Sequence, residues 1–142
     1  MEQEKNTKIE EKKTARMATV KGKDLHVSTK QCMAICKFIK GKNIKQATEL
    51  LENVIKFKIV VPSRGEIPHK KGISGRYPIK ASEMFIKLLK SLASNCMQKS
   101  MNPDMVKLSG HADLASRSHK SGRMRGRRFK RTHVLIVAEE KI

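Results

Sequence analysis

Tryptophan is absent from the 142 residues, Tyr77 is the only tyrosine, and phenylalanine occurs four times. With so few rings, aliphatic side chains must fill the core, and the bulky aromatics that flank a membrane-surface helix are missing. Cys32, Cys36 and Cys96 form an odd set with no C-x-x-C spacing, which argues against a disulfide framework and a structural zinc site and leaves small core residues as the reading. No stretch approaches the roughly 18 apolar residues of a spanning helix. The opening MEQEKNTKIEEKK lacks the apolar segment of a secretory signal, so a cytosol-like, cytoplasmic location is expected. His26, His69, His111, His119 and His133 are scattered, and there is no G-x-S-x-G and no Walker loop. Neither an enzyme nor a bound cofactor or metal is therefore expected. Acidic residues are scarce as well, 13 against 32 lysines and arginines, and the formal charge is +19. Self-repulsion of that size is relieved by a polyanion, and nucleic acid is the leading partner.

What is present divides the chain into segments. Residues 1 to 14 mix glutamate and lysine around a single large aliphatic side chain, Ile9, and read as a flexible tail before one domain over 15–142. Thr19, Val20, Leu25 and Val27 suggest one or two short strands broken at Lys21-Gly22-Lys23. Ser28 with Gln31 is placed as a capping box, and Cys32, Ile35, Cys36 and Ile39 recur on one helical face that stops at Gly41. Asn43 with Gln46 repeats the start signal, and Ala47, Leu50, Leu51, Val54 and Ile55 form the stripe of a second helix reaching about Phe57. Three prolines and three glycines between Ile59 and Pro78 break any period and read as a long loop. A third helix, the longest, enters at Pro78 with Ala81, Phe85, Leu88, Leu89, Leu92 and Cys96 on its inner face, and Asn102-Pro103-Asp104 ends it.

Beyond that turn the period becomes two. Val106, Leu108, Ala112 and Leu114 alternate with Lys107, Ser109, His111 and Asp113, and Val134 to Ala138 suits a partner strand. Between these strands, residues 117–132 hold six arginines and two lysines and no acidic residue, although the whole chain has nine arginines. Guanidinium forks grip phosphates and stack on bases, so concentrating them in one stretch fits folded RNA better than general charge balance does. Two strands joined through a segment too polar to re-enter the core describe a hairpin, over about 106–138, whose outer half finds its partner elsewhere. A disordered basic arm is the bland alternative, disfavoured by the flanking strands. A general DNA-binding protein and an RNA-processing enzyme are the rival functions, the first lacking any preference for folded RNA and the second lacking a reactive constellation.

IKGKNIKQATELLENVI (Ile39 to Ile55), GRYPIKASEMFIKLLKSLASN (Gly75 to Asn95) and GRMRGRRFKRTHVLIVAEE (Gly122 to Glu140) together resemble the universal large-subunit ribosomal protein family numbered twenty-two in bacterial and seventeen in older eukaryotic naming. The resemblance runs from about Ala15 to Glu140, and the VVPSRG and GRYP elements are similar to its archaeal and eukaryotic branch. It implies an α+β fold, a small antiparallel sheet packed on three helices, with a long extended β-hairpin that passes through ribosomal RNA toward the wall of the nascent-peptide exit tunnel. The hairpin arms are shorter than is usual in the family, with the tip near Ser116 to Arg123. Implied partners are large-subunit ribosomal RNA, neighbouring large-subunit proteins and the nascent polypeptide near the tip; the implied role is in subunit assembly and translation. Arg117, Lys120, Arg123, Arg125, Arg127, Arg128, Lys130 and Arg131 are the expected RNA contacts, supported by Lys40, Lys42, Arg64, Lys70, Lys71 and Arg76.

Overall fold

A computed structural model describes residues 16–63 and 75–140. The order of elements is β1 (Arg16–Leu25), α1 (Thr29–Ile39), α2 (Ile44–Ile55), β2 (Val61–Pro62), β3 (Gly75–Arg76), α3 (Ile79–Gln98), β4 (Val106–Leu114), a 3-10 turn (Gly122–Met124) and β5 (Thr132–Glu140). The larger sheet is antiparallel in the order β1-β5-β4, so the last strand lies in the middle. This is the expected α+β arrangement of three helices on a small antiparallel sheet.

Period-two patterning decides which face of the sheet is covered. Ala18, Gly22, Val106, Leu108, Ala112, Val134, Ile136 and Ala138 are buried beneath the helices, while Lys21, Lys107, His111 and Leu135 face outward. Register sets large beside small on the inner face: Ile136 lies between Val20 and Gly110, and Val134 between Gly22 and Ala112. Alternating bulk lets α1 settle on β4, and α3 on β1. Helix α2 packs on α3 from outside, and one cluster including Ile35, Ile39, Leu51, Phe85 and Leu89 joins all three helices to the sheet.

The helical stripes fall where 3.6-residue spacing puts them, but several boundaries do not. Asn43 does form the reciprocal cap, its N–H donating to Gln46 Oε1 at 3.4 Å. Ser28 is the N-cap of α1, yet its side chain makes no capping bond. Helix α3 ends at Gln98 rather than at Asn102-Pro103-Asp104. Ser100 turns left-handed (φ 54), so that Met101 N–H reaches Cys96 O at 2.9 Å and Ser100 N–H reaches Met97 O at 3.0 Å, a Schellman closure. Helix α2 closes the same way, with Phe57 (φ 60) left-handed and Lys58 N–H bonded to Asn53 O at 2.9 Å. Only α1 uses glycine, Gly41 at φ 76. Neither serine nor phenylalanine announces such a turn, because both are strained there.

Lys21-Gly22-Lys23 does not break β1, which runs unbroken through it with a bulge between Gly22 and Leu25. Gly22 is instead a packing site: a Cβ there would lie 2.9 Å from Leu25 Cδ1 and 3.1 Å from Leu88 Cδ1. The loop expected between Ile59 and Pro78 closes at its base, where Val61–Pro62 pairs antiparallel with Gly75–Arg76. Its remainder, and the tail expected over 1–14, lie outside the described residues.

Candidate nucleic-acid interface

Strand β4 pairs with β5 residue by residue from Val106↔Glu140 to Leu114↔Thr132, and there the regular ladder stops. Leu114, expected on the buried face, is 60 % exposed, whereas Ala115 beside it is buried. The long extended β-hairpin is therefore not seen as a continuous ribbon. Residues 115–131 form an excursion crossed by isolated bonds: Ala115 N–H to Arg131 O (3.2 Å), Phe129 N–H to Ser118 O (2.9 Å) and Lys120 N–H to Arg127 O (2.9 Å). His119 and Arg128 make a single β-bridge, and the chain reverses over residues 121–126 through the 3-10 turn, with Gly122 at φ 65. The reversal thus lies further along the chain than Ser116 to Arg123.

Three consecutive residues fix the root of this excursion. Arg131 Nη1 donates to Asp24 O at 3.0 Å, Thr132 Oγ1 donates to Val27 O at 3.0 Å, and His133 Nδ1 accepts from Asp24 N–H at 3.2 Å. Thr29 Oγ1 completes the buried part, lying 2.9 Å from Thr132 Oγ1. Since Thr132 donates to the carbonyl, Thr29 must donate to Thr132. These bonds meet β1, the turn after it and the first residue of α1, and Asp24 presents both its N–H and its carbonyl from the bulge, at φ 51. The change from cationic to apolar chain at Arg131, Thr132 and His133 is thus a clasp.

Of the eight expected cations in the excursion, Arg117, Arg123, Arg125, Arg127, Arg128 and Lys130 are exposed, and none makes an ion pair with a carboxylate among the described residues. Arg131 is half-buried and partly committed to the clasp. Lys120 lies with Nζ 5.5 Å from the centroid of the Phe129 ring, a cation–π contact that braces the two arms. Phe129, 41 % exposed, was not among the expected contacts. Its signal was there to read, one of four phenylalanines set between Arg128 and Lys130. At this density the side chains repel one another, and with no acidic neighbour the repulsion is relieved only by an external anion.

The supporting cations do not join this cluster. Lys40 and Lys42 occupy the α1–α2 turn, which is stitched to the other end of β4 by Gly41 N–H to Leu108 O (2.7 Å) and Leu108 N–H to Lys42 O (3.0 Å). Six residues of strand separate Leu108 from Leu114, about 20 Å. Arg76 is exposed on β3, and Arg64, Lys70 and Lys71 lie outside the described residues. The expected contacts therefore occupy more than one region of the surface.

Cys32, Cys36 and Cys96 are all unpaired and buried. Burial pushes the Cys36 thiol up to about 12, with Cys32 adding to the shift, and burial alone pushes Cys32 up to about 11. Thiols so reluctant to ionise are poor nucleophiles and metal ligands. No group of three or more His, Cys, Asp or Glu side chains is placed to hold a metal among the described residues. No described helix is long and apolar enough to cross a membrane.

Comparison with known proteins gives a consistent result. The family model of ribosomal protein L22p/L17e matches residues 20–138. The large ribosomal subunit protein uL22 of Ignicoccus hospitalis is 30 % identical, with 95 % of this chain and 95 % of that protein aligned. Those of Methanococcus aeolicus and Staphylothermus marinus are 31 % and 32 % identical, the first covering 90 % of each chain and the second 82 % of this chain and 85 % of its own.

Proposed function

The chain belongs to the ribosomal protein L22p/L17e family, and from that premise we propose that residues 115–131 are the part of it that ribosomal RNA holds. As a member, the chain is a non-enzymatic structural constituent of the large subunit of the cytoplasmic ribosome, and its relatives here are archaeal. The finer reading is that the core docks on the subunit while the excursion enters large-subunit RNA and points toward the wall of the nascent-polypeptide exit tunnel. Neighbouring subunit proteins and the nascent polypeptide near residues 121–126 are its further partners.

One observation carries this reading: six exposed cations stand on a segment clasped at its root and with no buried side chain over residues 116–130. Free in water such a segment gains nothing from projecting; among phosphates each guanidinium makes a charge-assisted pair and releases counterions. Lys40, Lys42 and Arg76 supply separate phosphate contacts, which suits a protein that binds more than one RNA segment during assembly. Cosedimentation with large subunits assembled in the absence of the native protein tests the proposal. The intact chain should pellet with subunits at moderate salt, and Arg123→Ala/Arg125→Ala/Arg127→Ala should not, while keeping the same helicity. Undiminished cosedimentation of that variant, or equal binding to duplex DNA, would overturn it.

A further inference from the structure

Exposed aromatic rings stand in two places on the described surface, and only Phe129 belongs to the excursion. The other is Phe57, 61 % exposed just past the C-terminal end of α2. Its position is one where glycine is the unstrained choice, since φ is 60, and its ring does not fill the core. The ring meets Tyr77 edge-on, with centroids 5.2 Å apart and planes at 62°. Tyr77 is half-buried and packs against the core, so it holds the pair in place while Phe57 stays open to solvent. Two of the five aromatic side chains of the chain are thus set side by side at the surface. Exposed cations flank both rings, Lys56 and Lys58 on either side of Phe57, and Arg76 and Lys80 around Tyr77. Neither 56–63 nor 75–82 contains an acidic residue.

We propose that Phe57 and Tyr77 form a stacking platform for one unpaired RNA base, with Lys56 and Lys58 on the adjoining phosphates. The proposal rests on the RNA-binding reading above and adds to it a second kind of contact, away from the arginine-rich excursion. An open ring among cations is the composition that holds single-stranded nucleic acid, the ring taking the base and the cations the backbone. The same cations disfavour a basic protein segment, so charge selects the polynucleotide.

The chain supplies its own reporter, because Tyr77 is the only tyrosine and there is no tryptophan. The full-length protein is titrated with a short single-stranded RNA of mixed sequence, following the anisotropy of the labelled RNA for binding and tyrosine emission for the platform. Saturating RNA should quench Tyr77, whereas heparin, a polyanion without bases, should bind without quenching. Phe57→Leu should weaken RNA binding about fivefold or more, the loss of one stacked base. Phe57→Gly should weaken it equally while melting no lower than the parent, which separates loss of the ring from loss of the fold. RNA bound with unchanged tyrosine emission, equal quenching by heparin, or Phe57→Leu affinity within twofold of the parent would each sink the platform and leave the RNA reading standing. Quenching by a cationic peptide instead of RNA would assign the pair to a protein partner and overturn the proposal. Failure to bind RNA at all would remove both readings together.

Discussion

Strands β4 and β5 continue into the two arms of the excursion, and the halves on either side of the Leu114↔Thr132 pair are held in different ways. Below that pair every residue of β4 has a partner on β5, and Val106, Leu108, Ala112, Val134, Ile136 and Ala138 lie 0–1 % exposed beneath helices. Above it the arms touch through one β-bridge, a few isolated hydrogen bonds and the Lys120–Phe129 contact, and Ala115 is the last buried apolar side chain. Backbone pairing alone is marginal in water, so where the helices end, the regular ribbon ends. Hydrophobic burial stabilises the lower half from within, and the upper half depends on charge neutralisation from outside.

Substitutions in each half should therefore be felt in different assays. Ile136→Ala, which empties the centre of the sheet, should lower unfolding stability by about 3 kcal/mol, read from denaturant melts. Replacing Arg123, Arg125 and Arg127 together with alanine should leave that melt unchanged but weaken RNA binding by roughly one to two orders of magnitude and reduce the log–log salt slope by about 2–3. If the arginine variant melted as Ile136→Ala does, the two halves would not be independent. Thr132→Val probes the boundary itself: it strips the buried Thr29 hydroxyl and Val27 carbonyl of their partner and should cost about 1–2 kcal/mol. Its RNA affinity should also fall, by less than that of the arginine variant, because the excursion loses its fixed root. The smallest change is expected at Ser82→Ala in α3, since the Ser82 hydroxyl is fully buried without a partner; removing it should raise the melting midpoint slightly, by roughly 0.5 kcal/mol in stability.

The same division explains what was legible from residues alone. Helical stripes such as Cys32, Ile35, Cys36 and Ile39, and the alternation along β4, are local patterns with a local cause, and they were readable to within a turn. The concentration of arginine was equally plain. Some of the features that escaped were made by partners far away in sequence, others by local turns that the side chains do not favour. Arg131 looked like one more RNA contact because Asp24, which holds it, lies 107 residues earlier. Gly22 looked like a breaker because its crowding comes from Leu25 and Leu88 rather than from its immediate neighbours. Ser100 and Phe57 take up left-handed turns that their side chains disfavour, and hydrogen bonds to the helix ends overrule the preference.

Because β5 separates β1 from β4, neither outer strand has any ladder to join until Thr132–Glu140 is made. Strand β1 must wait for its neighbour until Thr132–Glu140 has been made, so until then the nascent chain carries two orphaned edges and a block of arginine. The sheet is thereby postponed until β5 is available, and the growing polypeptide should depend on a chaperone or on prompt capture by RNA to escape aggregation.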